Sequence, residues 1–145
     1  MENNLGVAWS MLGRTDEARS AFSEAIRLDP AQPDGYDNLA QLELKAGNVP
    51  RACEIYERAR RQDPPADLLL GAAEVFSEAG RPEEAGKALD AALRKDPDNV
   101  DVAEALGSWC AQQGDRDRAV RLLRQAAAAG SKSAEETLRK VEAGR

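Results

Sequence analysis

The chain has 145 residues, of which 42% are apolar, 32% are charged and only 4% are aromatic. This length is about that of one domain and allows an ordinary core without disulfide or metal staples. The charged, aromatic-poor composition favours an elongated helical structure over a sandwich or barrel. No histidine is present, which excludes imidazole bases and imidazole ligands of zinc. The net charge of −6 argues against a general nucleic-acid binder.

The absence of targeting signals limits where we expect the protein to be located, and the spacing of its cysteines limits the metal and disulfide chemistry it can have. No run of about 18 apolar residues is present, so we expect no membrane span, and residues 1–5 lack the basic and apolar regions of a signal peptide. Cys53 and Cys110 have no neighbouring cysteine or histidine. A disulfide between them is possible, but burial as small intracellular side chains is favoured. We therefore expect a soluble, cytoplasmic chain with no metal site and no cofactor.

An internal repeat dominates the sequence. Its first markers are glycines that each follow a helix-like stretch, at Gly13, Gly47, Gly80 and Gly114. Their separations are 34, 33 and 34 residues. Alanine recurs five and twelve residues after each glycine, at Ala18, Ala52, Ala85 and Ala119 and at Ala25, Ala59, Ala92 and Ala126. A bulky residue lies between each alanine pair, at Phe22, Tyr56, Leu89 and Leu123. Four matching columns in four copies indicate one structural unit repeated four times.

Each copy predicts two helices joined at its glycine. The first helices fall within residues 1–12, 33–46, 66–79 and 100–113, and glycine then supplies the left-handed conformation that ends a helix. Pro50 and Pro82 fit the first turn of the second helix, which needs no amide donors. Alanines seven apart share one face and allow close helix packing. Asp-Pro closes three copies because the residue before proline disfavours helix.

The pattern resembles the tetratricopeptide repeat (TPR) family, whose 34-residue unit carries W-x2-L-G-x2-Y, A-x3-F and P. The first half appears as Leu5-Gly6 followed by Trp9, and later as Tyr36-x2-Leu39-Ala40. Glu43 and Cys110 depart from it in an aromatic column, and Ser131 replaces the closing proline. The resemblance implies an all-α, right-handed superhelix of four helix-turn-helix repeats. The repeats are residues 1–32 (incomplete at its start), 33–65, 66–99 and 100–131, followed by a capping helix over 132–143.

The capping helix is predicted independently of the resemblance. Within residues 132–143, Ala134, Leu138 and Val141 form one apolar stripe, and the other positions are mostly polar. A solenoid requires such a terminal helix with one solvated face. We therefore expect the array to end here.

The resemblance places the first helices on a concave inner surface, and these helices carry most of the negative charge. They hold nine acids and one base, whereas the remainder holds 17 acids and 19 bases. Helix electrostatics favour acids in first turns, where we expect Asp34, Asp37, Asp67 and Asp101. Glu74 and Glu78 lie further along and share one face. Either helix electrostatics or a groove for a basic or neutral partner accounts for the bias.

The first functional hypothesis is a non-catalytic scaffold that binds a protein or peptide segment, basic or neutral, in this groove. The groove residues that the resemblance implies are Asp34, Asp37, Asn38, Gln41, Lys45, Asp67, Leu70, Glu74, Glu78, Asp101, Glu104 and Ser108. One subtype of the family grips carboxylates with lysine, arginine and asparagine. Its columns here hold Asn3, Val7, Asn38, Asp67 and Gly71. Only Asn38 agrees, so we expect no carboxylate clamp.

The second hypothesis is a self-associating structural protein. Met1 already falls inside the first helix, so the open N-terminal end is expected to expose Leu5, Trp9, Leu12 and Phe22. Either this end joins copies into a homo-oligomer, or a preceding repeat of a longer array has been removed. Catalysis is not expected, because no nucleophile, phosphate loop or metal cluster is evident. Arginines cluster on the second helices, at 58–61 and 116–124, but interleaved acids indicate a solvated face. We expect neither nucleic acid nor membrane as a partner.

Overall fold

The computed structural model describes residues 1–144, and within that range the chain folds into nine α-helices without a strand. They are α1 (Glu2–Met11), α2 (Thr15–Leu28), α3 (Pro33–Lys45), α4 (Val49–Arg60), α5 (Ala66–Glu78), α6 (Pro82–Lys95), α7 (Val100–Gln112), α8 (Arg116–Ala128) and α9 (Lys132–Glu142). Odd and even helices pack as four successive hairpins, and α9 packs on the last of them. The predicted all-α solenoid is confirmed.

The glycine turns have the geometry that the repeat predicts. Gly47 has a φ of +79°, and no atom lies within 4 Å of the position where a Cβ would stand. Glycine is therefore needed for its backbone conformation and not for space. The amide of Asn48 then donates to the carbonyl of Glu43 at 2.8 Å, as in a Schellman motif. Equivalent bonds follow Gly13, Gly80, Gly114 and Gly130, so the same turn occurs in all four repeats and again before α9.

The alanine columns form the contacts between helices of a hairpin. The first column is completely buried in all four copies. The bulky column beside it is at most 3% exposed. Ala59, Ala92 and Ala126 of the second alanine column are likewise buried, whereas Ala25 is only half-buried. Close helix packing through small side chains is therefore continuous along the array.

Three side chains of the repeat's aromatic column, those of Trp9, Glu43 and Phe76, each contact a guanidinium. Trp9 and Phe76 keep their rings, and an arginine lies 5.0 Å and 5.4 Å from the respective ring centroids. Glu43, only 2% exposed, accepts from Arg19 Nε at 2.5 Å. The pairs are Trp9 with Arg14, Glu43 with Arg19 and Phe76 with Arg81. The guanidinium of Arg19, which comes from the preceding repeat, explains how a buried carboxylate is tolerated where an aromatic ring is expected.

The two ends of the array differ. At the C-terminal end, α9 buries Ala134 and Val141 against the array and leaves polar side chains outside, as predicted for a capping helix. At the N-terminal end, Leu5 is 44% exposed and Leu12 is 70% exposed. The prediction for Phe22 is wrong, because this ring is 2% exposed. Gly6 of α1 has no Cβ, and the ring of Phe22 packs against the space so left.

First helices define the inner side of the solenoid. Contacts join α1 to α3, α5 to α7 and α7 to α9, while second helices contact one another less. The first helices are therefore the more closely spaced set, as on the concave side of a curved array. Among the described helices, none is both long and apolar enough to cross a membrane.

Candidate functional site

A cleft of about 290 Å³ opens on the inner side between α5 and α7, and we refer to it as the inner cleft. Four of the predicted groove residues line it together: Leu70, Glu74, Glu78 and Ser108. The remaining lining residues are Ala73, Ser77, Leu89, Ala105, Trp109 and Gln112. The cleft thus combines an apolar surface with hydroxyl, amide and carboxylate groups, a composition that suits a ligand site.

Trp109 forms one wall of the inner cleft, and its position is fixed by α6. Its indole Nε1 donates to the carbonyl of Pro82 at 2.9 Å. The six-membered part of the ring lies over Gly86, where a Cβ would stand 2.7 Å from Cη2. Because only glycine leaves this space open, the indole is seated against the preceding hairpin. The wall is therefore preorganised before any ligand arrives.

Two carboxylates stand at the opposite side of the inner cleft. Glu74 and Glu78 are four residues apart on α5, so they project from the same helix face. Both are exposed, and within residues 1–144 neither forms an ion pair. They therefore remain free to accept hydrogen bonds from a cationic group of a ligand. Leu70 and Leu89 supply apolar surface beside them.

A second polar group lies further toward the N-terminus, around the Tyr56 hydroxyl. This hydroxyl donates to Asp37 Oδ1 at 2.9 Å and accepts from Gln41 Nε2 at 3.3 Å. Burial, reinforced by the Asp37 carboxylate, raises the pKa of Tyr56 above its ordinary value. The placement of Asp37 in a first turn is wrong, since α3 begins at Pro33 and only Asp34 is an acid of that turn. Asp37 is held by a hydrogen bond instead.

The other predicted groove residues are spread along the array. Asn38 donates to Asn3 at 3.0 Å and ties α3 to α1. Glu104 accepts from the hydroxyl of Ser131 at 2.7 Å at the start of α9. The remaining four are exposed and lie outside the inner cleft: Asp34, Lys45, Asp67 and Asp101. The structure therefore brings four of the twelve residues together in the inner cleft and distributes the other eight along the array.

The sequence hypothesis did not include the side chains that give the inner cleft its shape. Leu89 belongs to a second helix, and Trp109 stands one position before the aromatic column of the repeat. Gly86 was the available signal, since glycine in the interior of a helix often marks the close approach of a neighbour. Its partner, however, comes from the next repeat and cannot be named from spacing alone.

The thiol of Cys110 is poorly suited to act as a catalytic nucleophile. Cys110 is fully buried, and burial raises the pKa of its thiol even though Arg118 opposes that shift. A protonated, inaccessible thiol is a weak nucleophile. Among residues 1–144, no group of three or more acidic, cysteine or histidine residues is arranged to hold a metal ion.

Hairpins stacked in one direction, a polar-capped end and an open inner cleft define a helical-repeat protein of the scaffold type. Two family models described as tetratricopeptide repeat match residues 2–33, 11–67 and 37–100, and residues 76–139. The chain belongs to the tetratricopeptide repeat family. Members of this family bind protein partners and are generally non-catalytic scaffolds.

The chain is similar to parts of much longer proteins. It is 30% identical over 105 residues to the protein CTR9 homolog of Arabidopsis thaliana. This alignment covers 71% of this chain and 10% of that protein. It is 31% identical over 123 residues to cellulose synthase operon protein C of Pseudomonas fluorescens, covering 79% and 10%. The crystal structure of MamA superposes with a TM-score of 0.80 at 18% identity, covering 96% of this chain and 83% of that one. The chain thus spans about a tenth of the two sequence relatives, and the structural match shows the fold alone.

Proposed function

We propose that the protein is a scaffold that holds a short basic or neutral segment of a partner protein in the inner cleft. The observation that carries the proposal is that Glu74 and Glu78, which form no ion pair within residues 1–144, line the same partly apolar cleft as the seated indole of Trp109. An apolar side chain of the segment packs against Trp109 and Leu70. A neighbouring lysine or arginine then reaches the two carboxylates.

A labelled peptide of alternating lysine and leucine is the probe for this cleft. Neutralising both carboxylates (Glu74→Gln with Glu78→Gln) should weaken its binding about five- to tenfold at low salt, because two solvent-exposed charge contacts are lost. Asp37 is left intact, since its carboxylate also holds Tyr56. Fluorescence anisotropy at two salt concentrations measures the effect.

The matched control removes two exposed acids away from the inner cleft (Glu83→Gln with Asp98→Asn). This pair changes the net charge by the same amount and should leave the affinity within about twofold. Equal weakening by both pairs would show that only the overall charge matters. A glutamate-for-lysine version of the peptide that binds as tightly would also contradict a basic ligand.

A second candidate function, self-association through the N-terminal end, is supported by the exposed apolar side chains of α1. Leu5 is 44% exposed, whereas Leu39, its equivalent in the second repeat, is 2% exposed within the core. Met11 and Leu12 are 83% and 70% exposed. The outer face of α9 is polar, so two N-terminal ends are the complementary pair, as in an isologous dimer.

Solution mass as a function of concentration tests this second function. A dimer through α1 should dissociate on dilution, and Leu5→Ser with Leu12→Ser should keep the chain monomeric at every concentration. Both side chains are already exposed, so the variant should retain its helical circular dichroism. A monomeric mass for the unmodified chain across the whole range, or a dimer that survives both substitutions, would exclude this interface.

A further inference from the structure

A second cleft, of about 400 Å³, lies on the outer side between the ends of α2 and α4. Three guanidinium groups border it: Arg27 from α2, and Arg58 and Arg61 from the end of α4. No carboxylate is among its lining residues, although the chain as a whole carries a net charge of −6. We refer to it as the arginine cleft.

The arginines of this cleft differ in their partners. Arg27 donates from Nε to Glu24 Oε2 at 2.8 Å, so its charge is balanced within α2. In the part of the chain that the structure describes, neither Arg58 nor Arg61 forms an ion pair. The repeat explains the difference, because Arg61 matches Arg27 while Arg58 stands at the position of Glu24. Two cations therefore replace a balanced pair, and like charges at this spacing repel.

A favourable charge at a helix end does not by itself account for this arrangement. Cations in a last turn do favour the helix dipole. At the end of α6, however, Lys95 reaches the carboxylate of Asp63 at 2.5 Å. Near the end of α4, Glu57 and Glu84 line a neighbouring cleft with Arg61, but both carboxylates form ion pairs with Arg81. An external anion is the group that would balance them.

A buried ring fixes the floor of the arginine cleft. Tyr36 is 3% exposed, and its hydroxyl donates to the carbonyl of Pro30 at 2.9 Å. The guanidinium carbon of Arg58 lies 6.0 Å from the centre of this ring, at the outer limit of a cation–π contact. The ring therefore places Arg58 beside apolar surface, so that part of its position is set before a ligand binds.

We propose that the arginine cleft binds an acidic segment of a partner protein, with an aspartate or glutamate carboxylate held by Arg58 and Arg61. Guanidinium groups match a planar carboxylate with two parallel hydrogen bonds. Nucleic acid is disfavoured because the ring in the cleft is buried, which leaves no platform on which a base could stack. This site is separate from the inner cleft and takes a ligand of the opposite charge.

The test uses a fluorescein-labelled octapeptide rich in glutamate and the full chain. Replacing both unpaired guanidiniums (Arg58→Gln with Arg61→Gln) should weaken binding about five- to tenfold at low salt, since each exposed charge pair contributes a few-fold at most. The matched control removes two other exposed arginines without ion pairs in residues 1–144 (Arg94→Gln with Arg121→Gln) and should change the affinity less than about twofold.

Several outcomes would overturn the proposal. Absence of peptide binding by the unmodified chain at low salt would do so. If both double arginine variants weaken peptide binding equally, the peptide responds to diffuse surface charge and not to the arginine cleft. Displacement of the peptide by a single-stranded DNA oligonucleotide at equal charge concentration would assign the cleft to nucleic acid instead. Thermal unfolding by circular dichroism should be the same for both double variants, because all four side chains are exposed.

Discussion

Two glycines in helix interiors test the placement of the indole that walls the inner cleft. Gly86 of α6 faces Trp109, and a Cβ there would lie 2.7 Å from Cη2 and closer still to Cζ2. Gly71 of α5 faces only the hydroxyl of Tyr56, at 3.7 Å, which is an ordinary contact distance. The same substitution to alanine therefore enters a filled space in one helix and an open one in the other.

The expected changes in the free energy of unfolding have opposite signs. Alanine is favoured over glycine inside a helix by about 0.5–1 kcal/mol, so Gly71→Ala should stabilise the protein by about that amount. Gly86→Ala gains the same helix propensity, but the new methyl group displaces the indole of Trp109. Loss of the Trp109–Pro82 hydrogen bond costs about 0.5–1 kcal/mol, and crowding costs about 1–3 kcal/mol. The net result is a destabilisation of about 1–3 kcal/mol.

Urea unfolding followed by far-ultraviolet circular dichroism measures both variants against the unmodified chain. Tryptophan emission in a Trp9→Phe background additionally reports on Trp109 alone, and it should shift to longer wavelength in Gly86→Ala as the indole leaves its seat. If Gly86→Ala stabilises the protein as much as Gly71→Ala does, the indole does not lie over α6 and the described wall of the inner cleft is wrong.

Two further substitutions test the packing register and the buried ion pair. Ala52→Glu, or equally Ala85→Glu, places a carboxylate at a fully buried helix contact and should cost several kcal/mol; an unchanged melting temperature would show that the alanine face is misplaced. Arg19→Met leaves the carboxylate of Glu43 buried without its cation. It should lower the free energy of unfolding by about 1–3 kcal/mol, less than a fully enclosed pair because Arg19 is partly solvated. Adding Glu43→Leu should restore most of that loss in the same urea titration; no recovery would mean that the carboxylate is not the source of the cost.

The repeat could be read from the sequence because its signals are local and recur in every copy. Each glycine is required because the backbone adopts a positive φ, and each alanine because two helices pack closely there. Both requirements recur in four copies, and together they set the helix boundaries. The inner cleft is different, because Trp109 and Gly86 belong to different repeats and neither position follows the consensus. A contact that occurs once, between neighbouring units, leaves no periodic trace.

Charge counting by helix type met the same difficulty. It identified the first helices as acidic, but it could not show which carboxylates are already occupied. Glu43 is bound to Arg19, Asp37 to Tyr56 and Glu104 to Ser131. Each of these contacts joins different elements of the fold. Only a three-dimensional structure therefore separates acids that hold the array together from acids that remain free.

The free carboxylates on the inner side are not distributed evenly. Those at first-turn positions have a sufficient cause in the helix dipole. Glu74 and Glu78 lie beyond the first turn of α5 and accept no hydrogen bond from the described residues. Both border the inner cleft, which is partly apolar and lies between α5 and α7. Coulombic attraction between exposed groups falls off within about 10 Å at moderate salt. Recognition of a cationic segment is therefore expected to depend on the third and fourth repeats and not on the first two.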